Sequence, residues 1–155
     1  MYNYRDTYQN AISKCENEGA VLATPKSAAQ NAFLNGIAKN KIDFNRHLEY
    51  WLWIEIDDIS TPDRLTYKNG AGLLYTNWYV GWNEPSFTSY SEDSVIMDGW
   101  SGQWRTMSHA SNQLYRFICM RDVTSQAPTV PPTVESTTVD STSASFSSGY
   151  GKIYI

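Results

Sequence analysis

The sequence predicts a single α+β domain, because helical patterns come first along the chain and short strand patterns follow them. Two amphipathic segments with capping residues lie between residues 6 and 41. Runs of β-branched and aromatic residues then recur between residues 50 and 120. With 155 residues, of which 41% are hydrophobic, the chain is large enough for one globular core.

The first helix is predicted from Asp6 to Glu18, with Asp6 as its cap and Gly19 just beyond its end. The second is predicted after Pro25, because Ser27 and Gln30 form a capping-box pattern. It should end near residues 39–41. The apolar residues expected to face the core are Tyr8, Ala11, Ile12 and Cys15 in the first helix and Ala29, Phe33, Leu34 and Ile37 in the second.

A buried strand is predicted at residues 50–56, where seven consecutive residues are mostly aromatic or β-branched. Shorter strands are expected at residues 65–67, 95–97, 103–104 and 114–120. The stretch from 68 to 93 holds Gly, Pro and several aromatic residues, which is typical of a long ordered loop. Loops of this kind usually carry function.

Charge and composition exclude several functions. Twelve Lys and Arg against 16 Asp and Glu give a net charge of -4, so non-specific nucleic-acid binding is not expected. The longest apolar stretches fall far short of the roughly 20 residues that cross a bilayer, so we expect no membrane span. The first residues carry no export signal, which leaves two interpretations open: a cytosolic protein, or a sequence lacking its export segment.

A change of composition after residue 122 predicts a domain at residues 1–122 and a flexible tail at 123–155. About half of the tail residues are Ser, Thr or Pro, and few are charged. Such segments carry O-linked sugars outside the cell or serve as plain linkers, and both interpretations stay open.

Cys15 and Cys119 are the only cysteines, and the chain has no CxxC motif or His-rich tract, so a structural zinc site is not expected. If the two cysteines pair, the bond closes a loop of about a hundred residues and stabilises the fold by roughly 4–5 kcal/mol. The alternative is two buried free thiols.

Several motifs in order resemble the C-type lectin domain. They run from residue 8 to 121 and comprise Cys15 with Gly19-Ala20-Val21-Leu22-Ala23-Thr24-Pro25, then Gln30-Asn31-Ala32-Phe33-Leu34, Trp53-Ile54-Glu55-Ile56, Leu65-Thr66-Tyr67, Tyr75-Thr76-Asn77-Trp78, Asn83-Glu84-Pro85, Glu92-Asp93, Gly102-Gln103-Trp104 and Phe117-Ile118-Cys119. Glu55 departs from the family pattern, which has Gly at that position. The usual strand upstream of the first helix has no counterpart in residues 1–5.

The resemblance implies two helices flanking two small, mostly antiparallel sheets with a long ordered loop. It also implies a Cys15–Cys119 disulfide and an extracellular, oxidising setting, which the Ser/Thr/Pro tail supports independently. Many members of the family bind sugars through a calcium ion held in the long loop. Calcium takes six to eight oxygen ligands, so the resemblance directs attention to the carboxylates of that loop.

Carried over to this chain, the family's calcium ligands are only partly present. Glu84 and Glu92 match two ligand carboxylates, but the third residue of the Glu-Pro-Asn triplet is Ser86. The family's Asn-Asp pair after the strand Trp is replaced by Arg105 and Thr106. A guanidinium about 4 Å from a divalent ion is repelled by roughly 8 kcal/mol at an effective dielectric near 20, so the usual calcium site is interpreted as degraded.

Arg105 itself has two interpretations. In the first it replaces the ion, its planar fork bridging Glu84 and Glu92 and holding the loop closed without metal. In the second it points to solvent.

Asp93 follows Glu92 and is the remaining candidate metal ligand. Asp58 and Asp93 match an auxiliary calcium site of some members, whose third carboxylate position is Pro62 here, so both are interpreted as surface carboxylates.

The cysteines of the family's inner disulfide are replaced by Ser94 and His109, so the resemblance implies a loop without that covalent link. His109 is interpreted as a solvated residue, with a pH-sensitive contact as the alternative.

Three aromatic residues surround a two-residue lengthening of the loop just before Glu84. Of these, Tyr79 and Trp82 are candidates for a contact surface for a sugar ring or a partner side chain. Packing within the loop is the alternative for both, and Trp78 is expected in the core.

We expect a recognition module and not an enzyme, because neither His47 nor His109 lies in a triad-like context and no glycosidase motif accompanies Glu84 and Glu92. Binding of a glycan or glycoprotein is the leading hypothesis, and Glu84-Pro85-Ser86 is closer to the mannose-type triplet. The alternative is calcium-independent binding of a protein or another surface.

Overall fold

The computed structural model describes residues 5–42, 50–59, 62–86, 94–108 and 112–121. In these ranges the chain forms an α+β fold with two α-helices, one 3₁₀ turn and seven short strands. The fold class expected from the sequence is confirmed. The tail predicted at residues 123–155 and the residue His47 lie outside the described ranges.

Helix α1 spans Tyr8–Asn17 and is capped by Thr7, whose side chain accepts a hydrogen bond from the backbone N–H of Asn10. The prediction that Asp6 is the cap was wrong by one residue. The backbone of Asp6 is instead extended, since its carbonyl accepts hydrogen bonds from the indole N–H of Trp53 and the N–H of Tyr115. Gly19 adopts a positive φ of 65° just after the helix, as expected for a C-terminal stop.

Helix α2 spans Ala28–Lys41, and the Ser27 side chain accepts from the N–H of Gln30 at 3.2 Å. Both ends agree with the prediction. The predicted inner face is confirmed only in part: Leu34 is buried and Ile37 packs against the core, but the other buried residues of α2 are Asn31, Asn35 and Ala38. Ala29 and Phe33 are exposed. Two buried asparagines interrupt the apolar pattern, and their amides find partners far along the chain.

Two sheets complete the fold. The larger sheet has the order β3-β2-β4-β5, and β6 pairs parallel with the start of β2, at Leu52 and Trp53. The smaller sheet pairs β1 with β7. The strands are β1 Val21–Leu22, β2 Trp51–Asp57, β3 Thr66–Tyr67, β4 Ser94–Asp98, β5 Trp104–Met107, β6 Arg116–Phe117 and β7 Cys119–Met120. Strand β1 was not predicted, and the run at 114–120 forms two strands in different sheets.

Strand β2 is buried on both faces and separates two apolar clusters. Leu52, Ile54 and Ile56 pack in one cluster with Leu34 of α2, whereas Trp53 packs in the other with buried residues of α1. The two helices therefore flank the larger sheet, as the resemblance implied. Neither helix of the described chain is long and apolar enough to cross a membrane.

Cys15 of α1 and Cys119 of β7 form a disulfide across 104 positions of the sequence. Both cysteines are buried, so the bond joins α1 to the smaller sheet from within the second cluster. The predicted pairing is confirmed, and the interpretation as two free thiols is wrong.

Candidate functional site

The long loop between β3 and β4 runs along the open edge of β5. The backbone N–H of Trp104 donates to the carbonyl of Asn77 at 2.8 Å, and the N–H of Tyr79 donates to the carbonyl of Trp104 at 2.9 Å. The rings of Trp78 and Trp104 meet edge to face, with centroids 5.5 Å apart. The loop is thereby held against the sheet, and Trp78 packs against the core as expected.

A hydrogen-bond network around Gly102 places Trp104. The indole N–H of Trp104 donates to the side-chain oxygen of Asn31 at 2.8 Å, and the amides of Asn31 and Asn77 both donate to the Gly102 carbonyl. Gly102 adopts a φ of 76°, which side-chain-bearing residues rarely adopt. One buried polar cluster therefore fixes helix α2, the loop and the start of β5 together.

The carboxylate of Glu84 is buried at the same edge, with 4% of its side chain exposed. Its Oε2 accepts from the backbone N–H of Thr106 at 3.0 Å, from the Thr106 hydroxyl at 2.6 Å and from the N–H of Ser86 at 3.1 Å. Glu84 thus takes the place that a neighbouring strand's carbonyl would hold beside β5. The peptide bond that follows, Glu84–Pro85, is cis.

Arg105 lies beside this carboxylate. Its Nε donates to Glu84 Oε1 at 3.3 Å, and its guanidinium carbon lies 3.7 Å from the ring centroid of Trp82 and 5.6 Å from that of Trp51. The side chain of Arg105 is 22% exposed. It is therefore packed between charged and aromatic groups and does not project freely into solvent.

An exposed aromatic surface adjoins the Glu84–Arg105 pair. Trp82 is 57% exposed at the end of the 3₁₀ turn Val80–Trp82, and its ring meets that of Tyr79 edge to face at 5.8 Å. Val80 is 89% exposed on the same turn. The Arg105 guanidinium over the ring and the neighbouring Tyr79 ring hold Trp82 in place, although more than half of the surface of Trp82 is open to solvent.

Five of the residues singled out in the sequence are brought together here: Tyr79, Trp82, Glu84, Ser86 and Arg105. Glu92, Asp93 and His109 lie outside the described residues, so the contact between Arg105 and Glu92 stays a prediction. Sequence reasoning missed the role of Thr106, which was considered only as a lost ligand. The signal for it is its position one residue after Arg105, on the edge of β5 that faces the loop.

The donors around Glu84 decide how well these residues suit calcium. Oε2 accepts three hydrogen bonds and Oε1 faces the Arg105 cation, so both oxygens are already engaged by N–H or O–H groups. In the described ranges no three His, Cys, Asp or Glu side chains are grouped closely enough to hold a metal. As arranged, the described residues do not fit a calcium ion, which needs oxygens that are free to face it.

Two further positions can be placed. Asp58 accepts a hydrogen bond from the N–H of Asp63 at 3.1 Å, which is the geometry of a loop carboxylate, and Pro62 is exposed. Ser94, which stands at one cysteine position of the family's inner disulfide, is fully buried in β4, and its hydroxyl has no hydrogen-bond partner among the residues that the structure describes.

A second ionic group lies away from this surface. Glu55 of β2 is 3% exposed, and its Oε1 lies 3.4 Å from the ammonium of Lys68, which also contacts Glu16. Burial raises the pKa of the Glu55 carboxyl above its ordinary value of 4.5, although the charge of Lys68 opposes this. The chain therefore buries a carboxylate at the position where the resemblance leads one to expect glycine.

The fold, the disulfide and the loop surface define a recognition domain of the C-type lectin kind. The family model for the Lectin C-type domain matches residues 4–121. The chain belongs to this family.

The chain is similar to larger proteins of this kind. It is 33% identical over 107 residues to mannose-binding protein of Gallus gallus, a match that covers 69% of the chain and 37% of that protein. It is 27% identical over 118 residues to pulmonary surfactant-associated protein D of Sus scrofa, covering 75% of the chain and 28% of that protein. The chain thus spans about a third of the length of these relatives.

Among solved structures, the fold is similar to that of the C-type lectin CEL-I from Cucumaria echinata. The TM-score is 0.63 at 23% sequence identity, and the match covers 76% of this chain and 84% of that one. The likeness concerns the fold.

Proposed function

We propose that this domain is an extracellular, non-enzymatic recognition module that binds carbohydrate through the loop surface of Tyr79, Trp82, Glu84, Ser86 and Arg105. The observation that carries the proposal is the exposed ring of Trp82, held by Arg105 beside a cluster of polar groups. Family membership and the similarity to a mannose-binding protein support a sugar as the ligand. The disulfide supports an oxidising compartment.

The chemistry of a sugar ring suits this surface. A saccharide presents an apolar face of C–H groups, which packs on an indole ring, and a rim of hydroxyls, which needs hydrogen-bond partners. Trp82 offers the ring, while Ser86 and Arg105 offer polar groups within the same surface. Removal of the Trp82 ring by Trp82→Ala should weaken sugar binding about tenfold, which corresponds to roughly 1.4 kcal/mol.

We further propose that binding does not use the family's calcium site. Arg105 places a cation beside Glu84, and the Glu84 oxygens are engaged by Thr106 and Ser86. Glu92 and Asp93 remain as carboxylates of the loop, but two carboxylates without Glu84 supply too few ligands for a typical site. In this proposal Arg105 holds the loop closed in place of an ion.

The test is a calcium titration of the whole chain by isothermal calorimetry, with thermal melts in calcium and in chelator. We expect no saturable heat up to millimolar calcium and no change of melting temperature. A glycan array read in chelator should then show binding that Trp82→Ala weakens. Saturable calcium binding with a raised melting temperature would contradict the calcium-free mechanism. Carbohydrate binding through a calcium ion would then remain as the proposal.

One observation favours a second function, the recognition of a protein or another non-sugar surface. Val80 is 89% exposed and Leu74 is 80% exposed, and branched apolar side chains of this kind suit a protein partner better than a sugar. A glycan array that stays blank both with and without calcium would favour this alternative.

A further inference from the structure

We propose that the ligand of this surface is anionic: a saccharide that carries a carboxylate or sulfate group, bound by the outer edge of the Arg105 guanidinium. This inference rests on the proposed function, since it names the class of sugar that the same surface selects. It depends on which nitrogens of Arg105 are engaged and on how the guanidinium is held.

Arg105 uses only part of its hydrogen-bonding capacity within the described chain. A guanidinium carries five N–H groups. In the described ranges its one hydrogen bond is from Nε to Glu84, and no partner is found for Nη1 or Nη2. These two nitrogens form the edge that binds a carboxylate or sulfate by two parallel hydrogen bonds.

The guanidinium is also held in one orientation. Its central carbon lies 3.7 Å from the ring centroid of Trp82 and 5.6 Å from that of Trp51, and its Nε donates to Glu84. Arg105 is on β5, where it is paired with Ile96 of the central strand β4. An arginine placed in this way has little freedom left to lose when it binds an anion, which raises affinity.

Glu84 does not cancel the attraction for an incoming anion. Its carboxylate is 4% exposed, and three hydrogen bonds from Thr106 and Ser86 already stabilise its negative charge. The Arg105 side chain is 22% exposed, so a surface ligand reaches the cation more readily than the carboxylate. The exposed ring of Trp82 lies directly against that cation, so an anionic sugar can pack its ring on the indole while its acidic group meets the fork.

The test compares three ligands by calorimetry in chelator: lactose, lactose carrying a sulfate at the 3′ position, and lactose carrying a 3′-linked sialic acid. We expect the two anionic sugars to bind at least about tenfold more tightly than lactose, and the preference to shrink at higher salt. Arg105→Gln keeps a planar polar group without the charge and should abolish the preference. Arg105→Lys should retain only part of it, because an ammonium lacks the fork.

Matched variants separate the possible causes of a preference for the anionic sugars over lactose. Arg64→Gln removes one positive charge from an exposed position and should leave the preference unchanged. Trp82→Ala should weaken the binding of all three sugars and should reduce the preference without abolishing it, because the guanidinium keeps its charge and its contact with Glu84 but loses the ring that holds it. Urea unfolding of every variant shows which remain folded under the assay conditions, so that a loss of binding is not mistaken for a loss of structure.

Three outcomes overturn the inference, and they can be told apart. Equal binding of lactose and its anionic derivatives would remove the charge preference and leave carbohydrate recognition standing. A preference that appears only in Glu92→Gln would mean that Glu92 occupies the fork. Failure of all three sugars, together with a blank glycan array, would remove the proposed function as well.

Discussion

Glu84 Oε2 and the backbone N–H of Thr106 lie 3.0 Å apart at the edge of β5, and the Thr106 hydroxyl donates to the same oxygen at 2.6 Å. A loop carboxylate thus completes the hydrogen bonding of an edge strand. Edge strands otherwise present unpaired backbone groups, so the contact ties the loop to the sheet while it protects that edge.

Replacement of Glu84 by glutamine should destabilise the domain by about 2–4 kcal/mol, because the charge-assisted hydrogen bonds weaken and Arg105 loses its partner. Urea unfolding measures the effect. Glu16→Gln is the matched control, since its contact with Lys68 is about half exposed and is worth less than about 1 kcal/mol. Equal stability of the two variants would show that Glu84 has no such structural role.

Arg105→Ala should increase proteolytic cleavage of the loop between residues 68 and 93 roughly tenfold. The variant loses the contact with Glu84 and the stacking on Trp82, which together contribute about 1–1.5 kcal/mol to the closed loop. Limited proteolysis with mass spectrometry locates the cuts. An unchanged cleavage rate would show that Arg105 does not hold the loop.

Local signals predicted the elements that depend on neighbours in sequence. Ser27 was recognised as a cap because its partner, the N–H of Gln30, is three residues away, and the disulfide was expected from the resemblance. The polar part of the inner face of α2 was missed because Asn31 and Asn35 are buried by partners about 65–75 residues further along, at Trp100, Gly102 and Trp104. A local pattern contains no information about those partners.

The same limit applies to the candidate site. The family's motifs predicted a role for Glu84, Ser86 and Arg105, and the aromatic residues just before Glu84 predicted a role for Tyr79 and Trp82. The role of Thr106 depends on which edge of β5 faces the loop. Only the pairing of β5 with β4 fixes that edge, so the sequence alone did not contain the answer.

Gly102→Ala should destabilise the domain by roughly 1–3 kcal/mol. A Cβ at this position would lie 2.6 Å from the Asn35 amide nitrogen and 3.0 Å from that of Asn31, and the φ of 76° is unfavourable for alanine. Thermal unfolding followed by tryptophan fluorescence measures the loss. Gly36→Ala is the control, because a Cβ there meets nothing within 4 Å in the middle of α2 and should stabilise by about 0.5–1 kcal/mol.

The free energy of unfolding of the Glu55→Gln variant should depend less on pH between 4 and 8 than that of the wild type. A carboxyl whose pKa is raised by burial contributes most to stability below its ordinary value of 4.5, and that contribution is lost as the pH rises through the raised value. The variant should therefore gain relative to wild type as the pH is raised from 4 to 8, measured by urea unfolding. Glu135→Gln, in the Ser/Thr/Pro-rich segment, is the control for charge alone. A constant difference across the pH range would contradict the prediction.

Loss of the Cys15–Cys119 bond in a double alanine variant should cost roughly 4–5 kcal/mol, since the bond closes a loop across 104 positions. Chemical denaturation of the variant against the oxidised wild type measures the difference. A cost below about 1 kcal/mol would show that the unfolded chain is already restrained without the bond.

The disulfide also determines how the domain responds to mechanical force. When tension is applied between residues 5 and 121, Cys15 lies ten residues from the first point of attachment and Cys119 lies two residues from the second. The load then passes through the covalent bond, so the intervening chain, which would extend to roughly 350 Å at about 3.4 Å per residue, stays unstretched. A recognition surface carried on this chain therefore keeps its shape while it resists pulling, until a reductant cuts the bond.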